Sequence, residues 1–219
     1  MKQKITLLFF IISSVVYSQC WDQVSAGTIH TLGLRTDGSL WAWGYNLEGQ
    51  LGIGNNLNQN APTRLGTDND WISISAGGAH SLGLKSDGTL WSWGNNAYGQ
   101  LGDGTTDAKN EPVQVGTDTD WQLISAGNSS CYAIKTNGTL WAWGRNQKGQ
   151  LGLGNLTNRL IPIQIGTDSD WESISGGTSH VLAIKTNGTL WSCGYNMLAQ
   201  LGLNMTFHRA SFQQIGADT

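Results

Sequence analysis

The sequence predicts an all-β chain of β-propeller repeats, and three observations carry that expectation. Tryptophan returns at Trp21, Trp71, Trp121 and Trp171, so a fifty-residue period runs four times along the chain. Each period holds short segments of alternating polarity joined by an Asp-Gly or Asn-Gly pair, without helical hydrophobic spacing. Composition agrees: 30 Gly and 11 Trp stand against 3 Pro, and only 12% of the 219 residues are charged. Such a composition argues against a long charged disordered region. A net charge of −3 offers no basic groove for nucleic acid.

The first residues read separately from the repeats. Lys2 and Lys4 precede the apolar run Ile5 to Val16, and Ser18 and Gln19 follow. This is the layout of a secretory signal peptide over residues 1–19. A retained anchor or a buried first segment is the alternative, although the run is short for a membrane helix. Cys20 raises lipid attachment, but Val16-Tyr17-Ser18-Gln19 fits a lipoprotein cleavage box poorly. Without the leader, 10 basic residues face 15 acidic ones, a net charge of −5. The expected location is secreted or otherwise extracytoplasmic, with no stable membrane span in the mature chain. Cys20, Cys131 and Cys193 are odd in number. They allow one bridge plus a free thiol, or three thiols.

Residues 20–219 divide into repeats over 21–70, 71–120, 121–170 and 171–219. The first two match at 26 positions without a gap. In repeat two, Ile74-Ser75-Ala76-Gly77 opens the unit and His80 to Leu84 forms an extended segment with Leu82 and Leu84 on one face. Asp87-Gly88 predicts a two-residue hairpin turn, as do Asp37-Gly38, Asn137-Gly138 and Asn187-Gly188. The returning strand places Trp91 and Trp93 on one side, as for Trp41 and Trp43, Trp141 and Trp143, and Trp191. These indoles are expected to fill the space between blades. Gly33, Gly83, Ala133 and Ala183, on the preceding strand, are expected to let neighbouring sheets approach. A polar loop follows, in which Gln50, Gln100, Gln150 and Gln200 are expected to bond loop backbone. Pro62, Pro112 and Pro162 mark the start of a further short strand.

The pattern SAGxxHxLxLxxDGxLWxWGxNxxGQLG, clearest over Ser75 to Gly102, resembles the regulator of chromosome condensation repeat family. The resemblance covers the chain from Trp21 onwards and implies four-stranded blades, usually seven to a ring. It also implies a choice among activities. The founding member is an exchange factor for a small nuclear GTPase, a secreted bacterial relative inhibits β-lactamases, and others are protein-binding platforms. The apparent leader and the missing basic tail set this chain nearer a secreted bacterial member than a nuclear exchange factor. Four blades of a sevenfold ring sweep only about 206°. The chain is therefore expected to be part of a longer ring, half of a homodimer, or an open or compact four-blade unit. Repeat four departs most: Cys193 replaces the second tryptophan, Ala199 a glycine and Phe212 a proline. Phe207 and Phe212 are candidate fillers of the space beside Cys193.

No residue set predicts catalysis. His30, His80 and His180 recur with the repeat and are expected to be structural, with metal binding the lesser alternative; no HExxH or Cys-x-x-Cys spacing accompanies them. The acids of the TDxD segments, such as Asp68 and Asp70, suit turn capping better than a calcium loop. No serine elbow accompanies Ser129, Ser130 or Cys131. Neither metal nor cofactor is expected. The expected function is noncatalytic recognition of a protein by blade-connecting loops, through Tyr45, Leu47, Glu48, Tyr98, Arg145, Gln147, Lys148, Tyr195 and Met197. An enzyme inhibitor using the same face is a narrower alternative, and a secreted hydrolase a distant one.

Overall fold

The structure, a computed structural model, describes residues 20–216, so the leader expectation falls outside the described residues. The first sheet holds β1 (Trp21–Ala26), β2 (His30–Arg35), β3 (Leu40–Gly44) and β4 (Gln59–Arg64). The second holds β5 (Trp71–Ala76), β6 (His80–Lys85), β7 (Leu90–Gly94) and β8 (Lys109–Gln114). The third holds β9 (Trp121–Ala126), β10 (Ser130–Lys135), β11 (Leu140–Gly144) and β12 (Arg159–Gln164). The fourth holds β13 (Trp171–Gly176), β14 (His180–Lys185), β15 (Leu190–Gly194) and β16 (Arg209–Gln214). Every sheet is an antiparallel meander in chain order, and no helix occurs among the described residues. Strands β1, β5, β9 and β13 abut in succession, so each blade's first strand is innermost and its fourth outermost.

A four-stranded blade has two faces and too little thickness to bury either alone, so the core lies between blades. Leu32, Leu34 and Leu40 of the first blade pack against Trp71, Ile74 and Trp93 of the second. Leu82, Leu84 and Leu90 meet Trp121, Cys131 and Trp143 in the same way. Tyr132, Ile134 and Leu140 meet Trp171, Val181 and Cys193. Trp93 and Trp143 are fully buried; each indole removes enough apolar area from water for roughly 5 kcal/mol as an upper bound.

The sheets do not close into a ring. Trp21 is 43% and Val24 71% exposed on the first blade's outward face. Ile184 and Leu190 are 39% and 37% exposed on the opposite face of the fourth.

Several local expectations are corrected. The hairpin turns are not two-residue turns, which would need positive φ at both central positions. Gly38 has φ +76°, whereas Asp37 is not among the positive-φ residues. Gly38 N–H donates to Arg35 O at 2.9 Å and Arg35 N–H to Ser39 O at 3.0 Å, a tight turn followed by a left-handed glycine. Asp37 instead accepts the Ser39 N–H at 3.0 Å and hydroxyl at 2.6 Å. Pro62, Pro112 and Pro162 lie inside β4, β8 and β12 rather than at their starts. Those strands are outermost, where a missing N–H is tolerated.

The small residue of the second strand makes room inside a blade, not between blades. A Cβ at Gly83 would stand 2.6 Å from Trp71 Cζ3. Trp71 lies over that glycine, 6.3 Å from Trp91 and 5.9 Å from Trp93. Where Ala133 adds the methyl, Trp121 sits 5.8 Å from Trp141 and 6.4 Å from Trp143. Cys131 and Cys193 are buried thiols outside any disulfide, so the bridged alternative does not hold in this structure.

Candidate functional site

The loop between the third and fourth strand of each blade is fixed by two amides. Asn46 is buried; its Nδ2 donates to Asn55 O at 2.8 Å and Leu57 O at 3.1 Å, and its Oδ1 accepts the Leu51 N–H at 2.9 Å. Asn96, Asn146 and Asn196 repeat the last contact with Leu101, Leu151 and Leu201. Gln50 Oε1 accepts the Glu48 N–H at 3.1 Å. Gln100, Gln150 and Gln200 accept from Tyr98, Lys148 and Leu198, each at 2.9 Å. A short polar loop thus gains buried side-chain bonds in place of strand pairing, which holds its tip to one shape.

On these tips the structure brings most of the proposed face residues into one row. Asn95 Nδ2 donates to Glu48 Oε2 at 2.9 Å, joining the first two blades. The Arg145 guanidinium lies 4.8 Å from the Tyr98 ring centroid, joining the next two, and Arg145 Nη2 donates to Gln147 Oε1 at 2.8 Å. Lys148 Nζ lies 5.9 Å from the Tyr195 ring, and Tyr195 stacks on His208 at 4.8 Å. Leu47 and Met197 project outward, both 57% exposed. Tyr45 stands at the open end of the row and takes part in none of these cross-blade pairs. Leu198, 82% exposed, occupies the position of Glu48, Tyr98 and Lys148, and was missed by sequence reasoning. Its signal was an apolar residue where the other repeats carry a polar or aromatic one. Phe207 is 72% exposed and fills no space beside Cys193, correcting that expectation; Phe212 packs 5.2 Å from Trp171 and does.

Beneath the row runs a seam of donors converging on main-chain carbonyls. Trp93 Nε1 donates to Gln50 O at 2.9 Å and Trp143 Nε1 to Gln100 O at 2.9 Å. Ser81 Oγ also donates to Gln50 O, at 2.8 Å, and so is left to accept from His30 Nε2 at 2.9 Å. Cys131 Sγ donates to Gln100 O at 3.1 Å and contacts His80 Nε2 at 3.0 Å. Burial holds His30 down to about 4 and His80 to about 3, so both are neutral at pH 7. At the third seam Ser130 replaces the histidine, and Tyr132 OH donates to Gln150 O at 2.9 Å. Sequence reasoning saw the lost histidine but not the tyrosine two residues on that takes its volume. The outer indoles Trp41, Trp91, Trp141 and Trp191 donate within their own blades, to Ser39, Thr89, Thr139 and Thr189.

A second recurrent group also escaped sequence reasoning. Lys85 Nζ lies 2.6 Å from Asp68 Oδ2 and 3.3 Å from Asp70 Oδ1, and 4.9 Å from both the Trp71 and Trp91 ring centroids. Lys135 and Lys185 repeat this clamp with Asp118 and Asp120, and with Asp168 and Asp170. The TDxD acids thus serve a lysine of the next blade rather than a turn. The available signal was a basic residue at one position of every repeat, in repeats two to four a constant distance after the acids.

Among the described residues no group of three or more His, Cys, Asp or Glu side chains could hold a metal ion. The His80–Cys131 pair is buried, and burial pushes the thiol up while holding the imidazole down, so neither is charged or reachable by substrate. No helix of the described residues is long and apolar enough to cross a membrane.

Four meander blades in an open arc, zipped by seams of side-chain donors on main-chain carbonyls, define a β-propeller scaffold presenting loops. The chain belongs to the RCC1-like domain family, whose model matches residues 11–217. Human WBSCR16 is 27% identical, with a TM-score of 0.81 over 91% of this chain and 54% of its own. Prp20p from Saccharomyces cerevisiae is 23% identical with a TM-score of 0.82, over 90% of this chain and 51% of its own, a likeness of fold. The ultraviolet-B receptor UVR8 of Arabidopsis thaliana is 49% identical over 43 residues, 20% of this chain and 10% of that protein. The chain thus spans about half the length of the solved relatives.

Proposed function

We propose that this chain is a noncatalytic, extracytoplasmic binding module that recognises a protein through the loop row, as a secreted bacterial member of the family would. The observation that supports this reading is the cross-blade row itself. Tyr98 with Arg145 and Lys148 with Tyr195 place half-exposed aromatics and cations over amide-locked loops. Aromatic side chains lose little freedom on binding, and an arginine already stacked on a ring is partly ordered beforehand, which suits both as contact anchors. An acidic body favours a protein over a nucleic acid as ligand. The charged start and apolar run before Cys20 support export.

The test has two arms. N-terminal sequencing of the exported protein should start at or near Cys20; recovery of the intact start in the cytoplasm would overturn the location. For the ligand, extracellular proteins retained by the immobilised chain are identified, and the best is titrated against Tyr98→Ala and Tyr195→Ala. Loss of one anchor should weaken binding about tenfold or more. Unchanged affinity in both, and in Tyr45→Ala, would reject this face.

A further inference from the structure

We propose that a second copy of this chain closes the arc, with the open face of its fourth blade seated on the open face of the first blade. The two faces are the two halves of a seam that the chain already builds three times. On the first blade, Trp21, Val24 and Trp43 correspond to Trp71, Ile74 and Trp93, which are buried under the preceding blade. On the fourth, Leu182, Ile184 and Leu190 correspond to Leu32, Leu34 and Leu40, which are buried under the following blade. The apolar character needed for a fourth seam is thus present on both sides, although repeat four has drifted elsewhere.

The hydrogen bonds match as well. Trp93 and Trp143 each find a glutamine carbonyl of the preceding repeat, but Trp43 Nε1 has no acceptor among the described residues. Its counterpart acceptor is the carbonyl of Gln200 in the other copy. The Ser25, Ser75 and Ser125 hydroxyls each accept the N–H of residue 76, 126 or 176 at 2.9 Å. Ser175 is the fourth of that series, and Ala26 N–H its partner across the new seam. Gly54, Gly104 and Gly154 donate N–H to the carbonyls of Asn110, Leu160 and Ala210 in the following blade. Asn204 stands in that place with φ +53°, keeping the left-handed backbone of the glycines with a residue type that tolerates it better than most others. Its N–H would meet the carbonyl of Asn60. At the loop tips, Glu48, Tyr98 and Lys148 each reach the next blade, and Leu198 would meet Tyr45 of the other copy, completing the row.

Geometry allows closure with two copies. Opening the rotation from about 51° to about 45° per blade converts a sevenfold spacing into eight blades, within the usual range for propellers. The contact is heterologous, fourth blade to first, and occurs twice around the ring.

Sedimentation of the whole chain, kept reduced because Cys20 is exposed, tests this. The expected particle has twice the chain mass of 23.6 kDa, less any leader. Val24→Arg spoils only the first-blade face and Leu190→Arg only the fourth, so each variant alone should be monomeric. An equimolar mixture should regain a two-chain particle held by one intact seam and weaker than the parent, because one of the two contacts joins the unspoiled faces while the other joins both spoiled ones. Near-UV circular dichroism checks that both remain folded. Trp43→Phe keeps the ring but removes the donor, and should weaken association roughly five- to tenfold. A monomer at every concentration would overturn the proposal and leave the faces to further blades of a longer chain. A mixture that stays monomeric would overturn the head-to-tail contact, and open-ended filaments would overturn closure.

Discussion

Two buried histidines of the seams stay neutral. His80 is held to about 3 and His30 to about 4 by burial. The unfolded chain takes up protons on these rings below about pH 6.5, and the folded chain does not. Stability is therefore unaffected above that pH and falls as pH drops towards 4. At pH 5 each ring costs about 2 kcal/mol. Urea melts between pH 7 and pH 5 should show this loss, and His80→Gln should show a smaller one. Cys193 gives a second prediction. Phe212 now occupies the side of the seam where the other repeats have an indole, and a Cβ on Gly152 would lie 2.7 Å from Phe212 and 3.1 Å from Cys193 Sγ. Cys193→Trp should lower stability by about 1–3 kcal/mol through overpacking. Adding Phe212→Pro, the residue of the other repeats, should recover part of it; a stabilised single variant would contradict the packing described here. The sequence showed that the tryptophan was gone, but distance alone separates Phe207 from Phe212 as its replacement, and one-dimensional spacing does not carry distance.

At the scale of the element, the blade rather than the strand is the unit. Strand existence was legible because alternation, turn glycines and a fifty-residue period agree with one another. The turn type was not, since Asp-Gly serves both a two-residue turn and a three-residue loop ending in a left-handed glycine. The lysine clamp was equally hidden, because its parts lie in separate repeats and meet only when blades stack. Lys135 is the best place to measure it. Its side chain is 9% exposed between Trp121 and Trp141 and faces two carboxylates. Lys135→Met keeps the aliphatic stem and removes the charge, leaving Asp118 and Asp120 side by side. Thermal unfolding should report a loss of about 1–3 kcal/mol. A neutral result would mean that stem packing, not charge, holds the clamp.

For the whole molecule, stability depends on neighbours. The two central blades bury both faces and the two terminal blades one each, so protection from hydrogen exchange should rank in that order. Amides of β6 and β10 should exchange most slowly, and those of β2 and β14 faster. Closure by a second copy would remove the difference between terminal and central blades in a concentration-dependent way. The open arc itself was legible from the repeat count and the width of a blade. The continuity of the loop row was not, because no single repeat contains both members of any cross-blade pair.

The receiving side of the seams has one further consequence. Gln50 O accepts an indole and a serine, Gln100 O an indole and a thiol, and Gln150 O a phenol and a thiol. These sockets are peptide oxygens, which no codon change can delete. Side chains opposite them are thus free to drift among chemically unlike donors while the joint survives, and a duplicated or exchanged repeat would arrive already fitted to whichever neighbour it met.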